Sequence, residues 1–133
     1  MRIKKIVAQR LLGHVKKEAP LEACGYLAGK EGVITDIYEL TNIDQSPEHF
    51  SFDPQEQFAT LRDSRQKGLT LYANYHSHPA SPSRPSAEDI KLAFDPEMIY
   101  VIISLISQEP VIKAFRIKEG NVKEEPWEVL SDE

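Results

Sequence analysis

Cysteine is almost absent from this 133-residue sequence, which contains only Cys24. A single cysteine can form neither an internal disulfide nor a cysteine-based zinc cluster. The sequence therefore gives no indication of an oxidising compartment, and we expect Cys24 to be a small buried apolar side chain.

Long apolar runs and clusters of positive charge are also lacking. The start, MRIKKIVAQRLLGH, returns to polar residues too early for an ordinary signal peptide, and no segment approaches the length of a membrane span. The formal net charge is -5, without an evident basic patch of the kind that binds phosphates. We expect a cytoplasmic protein that binds neither nucleic acid nor membrane.

The composition is that of an ordinary globular protein, because 41% of the residues are hydrophobic and 28% are charged. A chain of this length suits one domain with one core. We therefore predict a single domain over residues 1–133, in which about residues 127–133 form a flexible tail.

The first third of the chain combines a helical pattern with an extended one. Apolar residues at helical spacing predict an amphipathic helix over roughly the first eighteen residues, ending before Pro20. Two apolar runs then flank Lys30-Glu31-Gly32, which predicts a hairpin of two strands over residues 21–40.

The rest of the chain alternates in the same way. A helix is predicted from about Pro54 to Lys67, with Asp53 as its cap, and a short helix from about Ala87 to Phe94. Strands are predicted at LTLYANYH, MIYVIISLI, PVIKAFRIK and NVKEEPWEV. This order predicts an α/β fold with helices packed on one sheet.

Two histidines, His76 and His78, stand at the end of a predicted strand and before a proline-rich loop. Side chains at positions i and i+2 of a strand point to the same side. The two imidazoles therefore form a chelating arrangement, although two polar residues at the edge of a sheet would produce the same pattern.

A carboxylate that could join the two imidazoles follows eleven positions after His78, at Asp89. Two imidazoles and one carboxylate match a catalytic zinc site, which keeps three protein ligands and an open fourth position. Ser86 and Asp89 also match a capping box at the start of a helix. Both roles are compatible if one carboxylate oxygen serves the metal and the other accepts from the backbone.

A hydrolytic zinc site also needs a base, commonly a glutamate that is not itself a ligand. Glu22 is the best candidate, because it is the one acidic residue in the apolar run LEACGYLAG. The alternative is that Glu22 lies at the start of a strand and faces solvent.

These residues together resemble a known family. Glu22, followed by His76-Ser77-His78-Pro79, six residues, Ser86, two residues and Asp89, is similar to the JAMM signature of the JAB1/MPN/Mov34 metalloprotease family. The resemblance covers most of the chain and is closest to the compact prokaryotic type. It implies a single-domain MPN/JAMM fold, with a mixed curved β-sheet flanked by helices in cytidine-deaminase-like layers.

The resemblance also implies a role for each matched residue. His76, His78 and Asp89 would hold one Zn²⁺ per chain. Glu22 would deprotonate the attacking water and pass the proton to the leaving amine, and Ser86 would hydrogen-bond the oxyanion. Ser77 points to the opposite face, and we expect it to help fix the turn.

The substrate that the resemblance implies is the C-terminal tail of a ubiquitin-like or sulfur-carrier protein. The enzyme would hydrolyse the peptide or isopeptide bond that follows the tail. Two alternatives remain at this point: a noncatalytic MPN domain that binds partners as a scaffold, and a zinc hydrolase of a small amide conjugate. An open groove beside the site would favour the protein tail, and a closed pocket would favour the small molecule.

Overall fold

A computed structural model describes residues 1–131 of the chain, which form three helices and eight strands. Their bounds in chain order are β1 Arg2–Lys4, α1 Lys5–Glu18, β2 Cys24–Lys30, β3 Val33–Leu40, α2 Pro54–Gln66, β4 Thr70–His78, α3 Ala87–Lys91, β5 Ile99–Ser104, β6 Val111–Lys118, β7 Asn121–Glu125 and β8 Glu128–Leu130.

All eight strands join one mixed sheet in the order β7-β6-β5-β4-β2-β3-β1-β8. Strands β4 and β5 run parallel, as do β1 and its two neighbours, and the other pairs are antiparallel. The predicted mixed sheet with helices is therefore confirmed. Among residues 1–131, no helix is long and apolar enough to cross a membrane.

The sequence correctly predicted the start of helix α2 and the turn between β2 and β3. Asp53 caps α2 through a hydrogen bond from the Gln55 amide to its carboxylate, and Pro54 occupies the first turn. The turn between β2 and β3 has positive φ at Glu31 (52°) and Gly32 (80°), which is the conformation of a type I′ two-residue hairpin loop.

The two ends of the chain differ from the predictions. Residues Arg2–Lys4 form β1 beside β3, so the helix begins at Lys5 rather than at the first residue. The predicted flexible tail is wrong at Glu128–Leu130, because these residues pair with β1 as strand β8. Trp127 also packs on the core, and its indole N–H donates to the Ile112 carbonyl (3.2 Å). The final two residues of the predicted tail lie outside the described residues.

Gly25 of β2 lies where a side chain has no room, because a Cβ there would overlap the Tyr38 carbonyl oxygen and the ring of Tyr75. We expect Gly25→Ala to lower the free energy of unfolding by about 3 kcal/mol, since backbone and a buried ring must both move. Urea denaturation measures the change. Gly13→Ala is the matched control, because nothing lies within 4 Å of a Cβ at Gly13, in helix α1, and it should raise stability by up to about 1 kcal/mol. Equal effects of the two substitutions would contradict this packing account.

His14 is a buried histidine (4% exposed) whose Nδ1 lies 2.6 Å from the Tyr75 hydroxyl. Burial lowers the pKa of His14, although the carboxylates of Glu39 and Glu18 oppose the shift. The unfolded chain therefore takes up a proton on His14 at a higher pH than the native protein does. We expect stability to fall as the pH drops below about 6.5. Chemical denaturation from pH 8 to 5.5 should show a steeper fall for the wild type than for His14→Gln, and equal slopes would contradict the prediction.

Candidate metal centre

The end of strand β4 brings the two histidines of the predicted site together. His76 and His78 are 3% and 5% exposed, and their Nε2 atoms are 3.0 Å apart. Oδ2 of Asp89, in helix α3, lies 3.2 Å from each of these nitrogens. The structure therefore gathers all three predicted ligands around one point.

The geometry of the three atoms fits a zinc ion. Ligand atoms around a tetrahedral zinc with bonds of 2.0–2.1 Å lie about 3.3 Å apart, close to the 3.0 Å and 3.2 Å separations observed here. The Pro82 carbonyl lies 2.8 Å from Nδ1 of His78 and can only accept, so it holds the Nδ1 proton. Burial lowers the pKa of His78, but its hydrogen bonds with Asp89 and with the Pro82 carbonyl raise it overall, so a proton on Nε2 can bridge His78 and Asp89. When that proton is lost, Nε2 and the Asp89 carboxylate are two acceptors 3.2 Å apart, which a divalent cation would bridge instead.

Asp89 is held in its charged form. Burial alone would raise the pKa of Asp89, but hydrogen bonding with the two imidazoles and the Ser86 amide keeps it well below its usual range. An ionised carboxylate is the form that binds a metal, and the pKa of the buried His76 is lowered, which also favours a metal-binding neutral ring.

The capping box at Ser86 and Asp89 is present, with one difference from the prediction. The Ser86 hydroxyl accepts from the Asp89 amide (3.0 Å), and Asp89 accepts from the Ser86 amide (2.8 Å). The same oxygen of Asp89, Oδ2, makes this bond and faces both histidines, so the two roles are not divided between its oxygens. Helix α3 ends at Lys91 rather than near Phe94, with Leu92 as its C-cap residue.

Glu22 lies two residues before β2 rather than inside the strand. The Ala23 carbonyl accepts from the Ser77 amide (3.0 Å), and Cys24 pairs with His76, so Glu22 lies beside His78. Glu22 is only 5% exposed, which excludes the solvent-facing alternative. Burial raises the pKa of Glu22 to about 7, with the negative charge of Asp89 as a further cause and His78 opposing it. A carboxyl group with a pKa near neutrality can accept a proton and return it.

Ser77 of β4 holds the segment that contains Glu22 and Ala23 through a side-chain hydrogen bond. Its hydroxyl, fully buried, accepts a hydrogen bond from the Ala23 amide (2.8 Å). Ser77 therefore fixes the residue that follows Glu22, rather than the turn after His78 that it was expected to fix.

The loop between β3 and α2 contributes aromatic residues to the site that were not among the predicted site residues. Phe50 of this loop stacks on the ring of His76, with centroids 4.5 Å apart and planes at 24°. Phe52 stacks on Tyr26 of β2 in the same way, at 4.9 Å. The alternating aromatic residues of the sequence HFSF were the only signal that this loop covers the site.

A groove of about 290 Å³ begins at His76 and Asp89. Its walls are largely apolar and are formed by Phe50, Phe52, Leu92, Phe94, Tyr100 and Ile102. Glu48, His49 and Glu88 form its charged rim, where Nδ1 of His49 lies 3.3 Å from Glu88. Phe94 is 82% exposed and Leu92 is 51% exposed, so the groove is open to a ligand of extended shape.

Comparisons with known proteins place this chain in a family. The family of prokaryotic homologues of the JAB domain matches residues 4–118. The chain is 35% identical over 127 residues to the CysO-cysteine peptidase of Mycobacterium tuberculosis, which covers 90% of this chain and 84% of the relative. It is 30% identical over 112 residues to a desampylase of Pyrococcus furiosus, covering 84% of this chain and 78% of the relative.

Solved structures show the same fold. The solution structure of protein DSY2949 from Desulfitobacterium hafniense is similar with a TM-score of 0.90 and 46% identity, over 98% of this chain and 93% of that one. The crystal structure of AF2198, a JAB1/MPN domain protein from Archaeoglobus fulgidus, has a TM-score of 0.68 at 21% identity, over 98% and 99% of the two chains. The fold and family that the signature implied are confirmed. This chain belongs to the prokaryotic JAB family and is a JAMM-type zinc metallopeptidase.

Proposed function

We propose that this protein hydrolyses the bond that follows the C-terminal tail of a ubiquitin-like or sulfur-carrier protein, and that it does so in the cytoplasm. The observation that carries the proposal is the convergence of His76, His78 and Asp89 next to the buried Glu22. A noncatalytic scaffold has no need of this set. The printed names of the relatives, a peptidase for CysO-cysteine and a desampylase, support the same substrate class.

In this proposal His76, His78 and Asp89 hold one zinc ion, which supplies Lewis-acid activation of the scissile carbonyl and of water when bound. Glu22 removes the proton from the attacking water. Its pKa of about 7 lets it later return this proton to the nitrogen of the leaving amine. The burial of Glu22 at 5% exposure keeps bulk water from competing for the proton.

In this proposal Ser86 donates a hydrogen bond to the oxygen of the scissile carbonyl group of the substrate. Its hydroxyl oxygen already accepts from the Asp89 amide, so its proton remains to donate outward. A donor to the developing oxyanion is worth about 2.7 to 4 kcal/mol in comparable sites. Ser86 itself is exposed, which leaves it within reach of a bound tail.

The groove favours a protein tail over a small conjugate. It includes two of the metal ligands, presents mainly apolar side chains and has the exposed residues Leu92 and Phe94 in its wall. An extended peptide can lie along such a groove, and its apolar side chains would contact the exposed apolar residues of the wall.

The test is a measurement of zinc content, followed by mass-spectrometric cleavage assays on the same preparation. Three substrates are compared: a ubiquitin-like sulfur carrier with a C-terminal extension, the same carrier linked to a lysine side chain, and a small aminoacyl amide. We expect one zinc per chain and cleavage of a carrier substrate that a chelator abolishes and zinc restores. Cleavage of the small amide alone would replace the proposed substrate, and a zinc-loaded protein that cleaves none of the three would reject the proposal.

A further inference from the structure

Asn42 is a buried amide (9% exposed) at the start of the loop between β3 and α2. Its Nδ2 donates to the carbonyl of Glu22 (3.0 Å) and to the carbonyl of His49 (2.9 Å). Its Oδ1 accepts from the amides of Asp44 (3.0 Å) and Ser51 (3.2 Å). One side chain thus joins both halves of the loop to the backbone of Glu22.

The backbone of Glu22 depends on this loop for both of its polar groups. The Glu22 amide donates to the carbonyl of Ser46 in the same loop (2.9 Å), and the Glu22 carbonyl accepts from Asn42. The next residue is held from the other side, because the Ala23 amide donates to Ser77 of β4 (2.8 Å). The backbone at residues 22 and 23 is therefore held by hydrogen bonds to the loop on one side and to strand β4 on the other.

The same loop contacts the metal-ligand side of the centre. Phe50 stacks on the ring of His76, and Nδ1 of His49 lies 3.3 Å from the carboxylate of Glu88 in α3. The loop covers residues 41–53, and a loop of this length has a large conformational entropy when it is free. Four hydrogen bonds to a single buried amide remove much of that freedom.

We propose that Asn42 is a positioning residue that fixes the carboxylate of Glu22 relative to His76 and His78; this rests on the proposed function, in which Glu22 is the base. Asparagine suits the position because it offers two donor hydrogens and one acceptor oxygen on the same planar group. Aspartate has the same shape but presents acceptors on both sides, so it cannot donate to the Glu22 and His49 carbonyls when ionised.

The test compares Asn42→Asp and the neutral Asn42→Ala with the wild type, each loaded with zinc. A displacement of the base by about 1 Å lowers kcat by roughly a hundredfold, so we expect kcat to fall by about 10- to 100-fold in both variants, while KM changes by less than about threefold. Zinc content should remain one per chain, because none of the three ligands contacts Asn42. A loss that only reflected a smaller folded fraction would lower zinc content together with kcat.

Hydrogen exchange provides a second readout that does not depend on the substrate. The amides of residues 22–23 and 43–51 should exchange at least about tenfold faster in both variants, while those of β5 and β6 stay protected. Asp44→Ala is the matched control: Asp44 accepts from the Ser51 hydroxyl (2.8 Å) but does not contact Glu22, so exchange at residues 22–23 should not change.

Two results would overturn the inference: unchanged exchange at residues 22–23 in both Asn42 variants, or a wild-type kcat in Asn42→Asp. A wild type that cleaves no substrate would reject the proposed function instead, and faster exchange at residues 22–23 would then still establish the link between Asn42 and Glu22.

Discussion

Replacement of Glu22 by glutamine should lower kcat by about 10³-fold and leave one zinc bound per chain. Glutamine keeps the size of the side chain and removes the site that accepts the proton. None of the three ligand atoms belongs to Glu22, so the metal centre stays assembled. Steady-state cleavage of the carrier substrate and metal analysis of the same sample measure the two parts of the prediction.

The same substitution should stabilise the zinc-free protein at alkaline pH. The pKa of Glu22 is raised to about 7 by burial, so the native state disfavours its ionised form relative to the unfolded chain. The native protein therefore loses stability as the pH rises from about 4.5 through 7. A neutral glutamine removes this penalty, and we expect a gain on the order of 2 kcal/mol at pH 8.

Glu39→Gln is the matched control for the measurements of kcat and zinc content. Glu39 lies on β3, where its Oε2 is 3.3 Å from the Arg10 guanidinium and is not one of the metal-binding atoms. It should change neither kcat nor zinc content. If Glu22→Gln kept more than a tenth of the wild-type kcat, Glu22 could not be the base, and the high pKa would only reflect burial.

The parts of the fold that the sequence predicted are those set by local chemistry. The cap at Asp53, the proline that follows it and the turn at Gly32 each act within a few residues. Strand β1 escaped prediction, and β8 was predicted only as the end of one strand over residues 121–129, because their partners are distant in sequence: Ile3 pairs with Ile34 and with Val129. Ile3 also lies four residues before Val7, a spacing that fits a helix equally well.

The metal ligands were predictable for a related reason. The i, i+2 spacing of His76 and His78 fixes their direction on a strand, and the capping box places Asp89 at the start of a helix. The groove and the position of Asn42 arise from contacts between separate elements, which no local pattern encodes. Glu22 was predictable only in part. Its residue type suggested a base, but its position beside His78 follows from the pairing of Ala23 with Ser77 of another strand.

Removal of one imidazole should strongly weaken zinc binding. We expect His78→Ala to weaken zinc binding by at least about a hundredfold, because the remaining two ligands leave the ion exposed to water. Cleavage of the carrier substrate should fall to background. The melting temperature of the zinc-loaded wild type should also exceed that of the variant, since zinc that binds only the native state stabilises it by mass action.

His49→Ala is the matched histidine control for this experiment. His49 lies on the rim of the groove, its side chain is 51% exposed, and its partner is Glu88 rather than Asp89. Competition with a chromogenic chelator should therefore give the wild-type zinc affinity for His49→Ala and a much weaker one for His78→Ala. Equal affinities in the two variants would mean that the ion binds elsewhere, and the close approach of His76, His78 and Asp89 would then need another explanation.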